Sequence, residues 1–123
     1  MTWFWRGGLG AVVLACGCGG GAPTADPQAA RSALESVLEN WRAGASLSAL
    51  EEGRPSIHVS DWQRGTGVKL TRYEIDEDRP SGTSRRFKVR LWVDSGKGKT
   101  RAEPAEYDVV DRPELVVVRV GDR

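Results

Sequence analysis

Histidine occurs once in the 123 residues, at position 58, and cysteine only at 16 and 18. A zinc-type centre needs three or four convergent ligands, and no second histidine is there to join His58. Nor can a disulfide staple its body, because both thiols lie in one short N-terminal stretch. Excess charge of one sign is missing as well: 18 Lys+Arg stand against 17 Asp+Glu, a net charge of +1. Only Arg6 falls in the first 15 residues, so the remainder balances. A neutral body is poorly suited to wrapping nucleic acid or adhering electrostatically to anionic lipid. Long hydrophobic runs are absent too. The uncharged, mostly apolar stretch Gly7–Ala15 has nine residues, against about 20 for a membrane span. What is present, 39% hydrophobic and 28% charged residues, fits one folded domain rather than a disordered chain.

Arg6 followed by Gly7–Ala15 has the order of an export signal, a basic residue and then a short apolar region. The stretch ends Val13-Leu14-Ala15-Cys16, which resembles the lipobox of bacterial lipoprotein signal peptides. The resemblance covers residues 1–16. It implies cleavage before Cys16, a diacylglycerol (and a palmitate-type chain) on that residue, and attachment of the mature chain to the cell membrane or outer membrane, with its domain outside the cytoplasm. A lipidated Cys16 leaves Cys18 without a partner. Gly17–Ala25 is Gly-rich and without apolar period, the composition of a tether. The expected organisation is a signal peptide over 1–15, a lipidated cysteine and tether over 16–25, and a single domain over 26–123.

Within that domain, Asp26-Pro27 reads as a helix start. Ala30, Leu34, Val37, Leu38 and Trp41 then form one apolar stripe ended by Gly44. Ser46 opens a shorter helix to about Glu52 with Leu47 and Leu50 inward. Beyond Pro55 the pattern changes to period two. Ile57 and Val59 mark a short strand, and Trp62 folds back onto the core. Val68–Asp76 alternates with a slip near Thr71 that a bulge would absorb. Glu77–Thr83 reads as a loop. Arg86–Val93, Ala105–Val110 and Glu114–Val120 are strands. Matching the apolar faces of the middle pair sets Phe87 opposite Tyr107 and Val89 opposite Ala105, which places Lys88 across from Glu106 and Arg86 across from Asp108. The expected fold is α+β, an N-terminal helix with a short second helix packed on an antiparallel meander of about four strands. In element order alone it resembles a small cystatin-like or NTF2-like domain.

Chemical motifs are sparse. Ser95–Thr100 (SGKGKT) lacks the first glycine of a phosphate loop and is followed by a strand, so it reads as a turn. In His58-Val59-Ser60-Asp61, neighbours on an extended chain cannot form a triad. Glu74, Asp76, Glu77 and Asp78 lack calcium-loop spacing. Arg85, Arg86, Lys88 and Arg90 with Lys97, Lys99 and Arg101 are the one basic concentration, and the register already gives Arg86 and Lys88 carboxylates. The last strand, Leu115, Val116, Val117, Val118 and Val120, is apolar on both parities. These features favour a non-enzymatic lipoprotein without cofactor or metal, an accessory or protein-binding module of the cell envelope whose partner surface is Trp92, Leu115 and Val117. The alternative is a small-ligand binder with a cone lined by Trp41, Trp62, Phe87 and Tyr107.

Overall fold

The structure, a computed structural model, describes residues 24–121. The expected signal peptide, Cys16, Cys18 and most of the expected tether therefore lie outside the described residues. Helix α1 spans Pro27–Arg42. The Asp26 carboxylate accepts the Ala29 N–H at 2.8 Å, and Pro27 fills a first-turn position where no intrahelical N–H is needed. Its inner stripe buries Ala30, Ala33, Leu34, Val37, Leu38 and Trp41. Trp41 also donates its indole N–H to the Val68 carbonyl at 3.0 Å, tying the end of the helix to the sheet. Gly44 then turns the chain at φ +74°, a left-handed conformation in which glycine carries no Cβ penalty. Helix α2, Leu47–Glu51, is one short turn. Leu50 packs against the core, whereas Leu47, expected inward, is 38% exposed, because so short a helix can turn only one side to its neighbours.

Five strands follow: β1 (Ile57–Ser60), β2 (Lys69–Ser81), β3 (Ser84–Asp94), β4 (Thr100–Val110) and β5 (Leu115–Arg119). They form one sheet in the order β1-β5-β4-β3-β2. Four of them make the expected antiparallel meander. The fifth, β1, lies parallel to β5, with Ile57 beside Leu115 and Val59 beside Val117. The sheet is therefore mixed and strand-dominated, one strand larger than the pattern indicated. This placement also accounts for the doubly apolar last strand: β5 is interior, between β1 and β4, and not an edge. Val117 is fully buried under the helix layer, while Val116 and Val118 point to the other face.

The central register is as expected, with Phe87 opposite Tyr107, Val89 opposite Ala105, Lys88 opposite Glu106 and Arg86 opposite Asp108. The slip in β2 is a register shift between Leu70 and Arg72. It returns Tyr73 and Ile75 to the face of Leu70, where all three contact the core. A second shift lies between Ile75 and Glu77. The segment 77–83 is not a loop: pairing continues to Ser81 opposite Ser84, around a turn at Gly82-Thr83 with Gly82 at φ +61°. β2 is an edge strand, so Pro80 and a run of charges sit there without breaking the ladder. The core lies between α1 and one face of the sheet, with Tyr107, Phe87, Leu34, Leu38 and Leu91 its largest fully buried side chains.

Candidate functional site

The site is built from the chain leaving β1. Asp61 closes that strand and turns inward. One carboxylate oxygen accepts the backbone N–H of Gln63 at 3.0 Å and a guanidinium N–H of Arg119 at 3.1 Å. The other accepts the Tyr107 hydroxyl at 2.5 Å. Arg119 reaches Asp61 because it continues the inward parity of Leu115 and Val117, one position beyond the apolar run, directly beside Tyr107 in the ladder. The ion pair is nearly dry, with 5% of the arginine and 2% of the aspartate side chain exposed. The guanidinium carbon also lies 5.0 Å from the Trp62 ring centre and 5.5 Å from that of Tyr107, within cation–π range. Burial, then the Asp61 charge, push the Tyr107 hydroxyl far above the usual phenol range.

The next three residues extend the cluster. Gln63, 4% exposed, donates its amide to Glu103 at 2.8 Å. Arg64 donates to Asn40 and to the Ala45 carbonyl, fastening the loop to the end of α1. Trp62 Nε1, Gln63 Oε1 and Arg64 Nη1 are each buried without a protein partner. Three such atoms in consecutive residues are notable, since each costs roughly 1–3 kcal/mol when left unmade.

Beside this cluster is a depression of about 560 Å³ walled by Trp62, Glu103, Pro104, Glu106, Arg119 and their neighbours. It arises from unequal strand lengths. β5 ends at Arg119, and its last bond to β4 runs from Val120 N–H to the Glu106 carbonyl at 2.8 Å. β4 continues back to Thr100 with no described strand on that side. Even-numbered residues of β4 point their backbone groups toward this edge, as Glu106 does, so the missing N–H of Pro104 falls on it. A partner strand is discouraged there, and the space is left as a concavity instead of an extended ladder.

The residues expected to form sites are dispersed. Trp92 lies on the face of the sheet opposite α1, with the Arg72 guanidinium 4.3 Å and that of Arg90 5.9 Å from its ring centre. Leu115 and Val117 face the helix layer two strands away, and Val117 has no exposure. The three do not form one surface: the strand's outward residues are Val116 and Val118, the opposite parity. Trp41, Phe87 and Tyr107 fill the core, and only Trp62 lines a depression, on the flank. His58 is set between carboxylates, its Nε2 2.7 Å from Glu114 and its Nδ1 3.7 Å from Glu51. The basic stripe meets carboxylates in turn: Arg85 with Asp78, Arg86 with Asp108, Arg90 with Glu74 and Asp76, Arg101 with Glu103. Among the described residues no three His, Cys, Asp or Glu side chains converge as metal ligands, and no helix is long and apolar enough to cross a membrane. A groove of about 450 Å³ between α1, α2 and β1 is lined mainly by small and apolar residues, Ala33, Ala49, Leu50 and Ile57 among them.

Asp61, Gln63 and Arg119 were not marked as a group by any motif. The available signal was parity, a charged residue on the inward face of an apolar strand, which demands a buried counter-charge. No family model, curated protein or solved structure matches the chain.

Proposed function

We propose that this chain is a lipid-anchored, non-enzymatic binding module of the cell envelope, attached through Cys16. The observation that carries the reading is how the start of the domain is held. Thr24 donates its hydroxyl to the Gly82 carbonyl at 3.1 Å, Ala25 donates its N–H to the Thr83 carbonyl at 3.1 Å, and Asp26 donates its N–H to Asp111 at 3.0 Å. The segment arriving from the lipobox is thus clamped to the β2–β3 and β4–β5 turns, at one end of the sheet. The loop Asp61–Gly67 and the β3–β4 turn belong to the other end, so a tether pulling at Thr24 leaves the Trp62 depression free to engage a partner.

A binding role agrees with the chemistry near the chain's histidine. Both ring nitrogens of His58 face carboxylates, and among the described residues no hydrogen bond joins either to a hydroxyl that it could activate. Replacing Cys16 with serine should move the chain from the membrane fraction to the soluble fraction and stop incorporation of radiolabelled lipid. A Cys16→Ser chain that stays membrane-bound and labelled overturns the anchor.

A further inference from the structure

We propose that the corner of the sheet formed by Lys69, Lys97 and Lys99 docks a flexible polyanion of the cell envelope, a polymer with an acidic group on each repeat. This names the partner class of the binding-module reading and rests on it, but not on the lipid anchor. Lysine occurs four times in the chain, at 69, 88, 97 and 99, and all four side chains are exposed. Every ion pair among the described residues is made by an arginine or by His58, none by a lysine. The arginines hold the carboxylates of the fold, and the lysines are left uncompensated. The ladder gathers three of them. Lys69 opens β2 opposite Asp94, the last residue of β3, and Asp94 lies opposite Thr100, the first of β4. Lys97 and Lys99 belong to the turn between those two strands. With strands about 4.8 Å apart, the corner is roughly 10 Å across, close to the Debye length at physiological salt. Asp94 is the sole acidic residue from 94 to 100, and one of its oxygens accepts the Gly96 N–H at 2.8 Å. Three cations thus face one anion in a chain that is neutral as a whole, so the attraction is local.

The kind of cation narrows the occupant. A single small anion would meet exposed ammoniums on flexible stems, with no buried donor to fix it. Adhesion to an anionic lipid surface calls for about 4–8 basic residues in one cluster, and this corner has three. A folded protein partner is anchored on aromatic and arginine side chains, with lysine depleted. The arginines that border the corner are already held: Arg72 by Glu74 at 2.5 Å and Arg101 by Glu103 at 2.9 Å. Arg72 also lies 4.3 Å from the centre of the Trp92 ring. A flexible polyanion needs neither a fixed donor set nor an aromatic anchor. Its repeats settle against separate point charges, and its condensed counterions are released as they do.

The experiment is fluorescence anisotropy of end-labelled polyphosphate, titrated with the full chain in neutral detergent at several salt concentrations. The polymer should bind, with log affinity falling on log salt at a slope of about −2 to −3, as three lysine contacts require. Lys97→Gln should reduce that slope by about 1, and adding Lys99→Gln should weaken binding about tenfold or more in all. Both side chains are exposed and unpaired, so the circular-dichroism spectrum should not change. Lys88→Gln removes the same charge from the middle of β3, about 20 Å from Asp94 along the strand, and should leave affinity and slope unchanged. Orthophosphate at the same phosphate concentration should not compete, and phosphatidylglycerol added to the micelles should not displace the polymer. No binding, equal weakening by Lys88→Gln and Lys97→Gln, or displacement by orthophosphate or by phosphatidylglycerol overturns the proposal. None of these outcomes bears on whether Cys16→Ser releases the chain from the membrane.

Discussion

Asp61 shows how one side chain can hold several elements together. It ends β1, orders the following loop through the Gln63 N–H, and neutralises Arg119 from β5 while accepting from Tyr107 of β4. Removing one member of a buried pair leaves an unpaired charge, so Asp61→Asn or Arg119→Met should each lower stability by roughly 3–5 kcal/mol. The double variant should lose clearly less than the sum in urea unfolding; simple additivity would show that the two charges are not coupled. Tyrosine titration tests the same neighbourhood. The chain has two tyrosines. Burial and a 2.8 Å hydrogen bond to Glu39 push Tyr73 up to about 12, and Tyr107 lies higher. Unfolded tyrosines ionise near 10, so folding favours the protonated form of both. That stabilisation is complete below about pH 10 and is lost as pH rises through 10 to 12 for Tyr73. Native protein should show no tyrosinate absorbance step near pH 10. The first step should come near 12 and vanish in Tyr73→Phe, with Tyr107 ionising only on unfolding. A full step near 10 would contradict both the burial of Tyr107 and the Tyr73–Glu39 bond. Trp62 and Tyr107 are expected together from sequence, but Asp61, Gln63 and Arg119 are not legible beside them, because Tyr107 and Arg119 are 46 and 58 positions from Asp61 and only the assembled sheet brings them together.

At the scale of elements, legibility followed the amount of apolar pattern. α1 and the β3–β4 register were readable because both faces agreed: Phe87 and Val89 needed Tyr107 and Ala105, and the same register aligned Arg86 with Asp108. The end of β2 was not, because Glu77–Ser81 carries no apolar residue, and its pairing with Phe87, Arg86 and Arg85 comes from backbone bonding along an edge that needs no core face. The partner of β1 was hidden for another reason. Four residues specify a strand but not its neighbour, and parallel pairing with β5 follows from α2 returning the chain to the end of the sheet where β5 begins. Register alone does not make an ion pair, and the hairpin provides a test. Arg86 binds Asp108 through two bonds, 2.7 and 2.8 Å, while Lys88 faces Glu106 with no ion pair between them among the described residues. Double-mutant cycles should give a measurable coupling for Arg86–Asp108 and none for Lys88–Glu106. Equal couplings would mean that cross-strand position, and not bidentate geometry, sets the energy.

For the whole molecule, the clamp at Thr24 would give the proposed lipid anchor an orientation. Residues 17–23 separate Cys16 from Thr24, and fully extended they reach about 25 Å. The 11 residues of β3 make the sheet about 37 Å long at ~3.4 Å per residue. That stretch is therefore shorter than the sheet it precedes. A domain held at the Gly82 end by the bonds of Thr24 and Ala25 cannot bring its opposite end, the Ser95–Lys99 turn, to the lipid without inverting over its own attachment. The β2–β3 turn should face the membrane and the β3–β4 turn should face away from it. Single cysteines placed at Thr83 and at Lys97 in a Cys18→Ser background, labelled and reconstituted through a lipidated Cys16 into vesicles with spin-labelled headgroups, read this directly. The label at Thr83 should be quenched strongly and that at Lys97 weakly, with both chains equally retained on the vesicles. Equal quenching would mean that the domain tumbles freely despite the clamp. The reverse order would place the Trp62 end of the sheet against lipid. Loss of retention would instead count against lipidation at Cys16 and leave the orientation of the clamp unaffected.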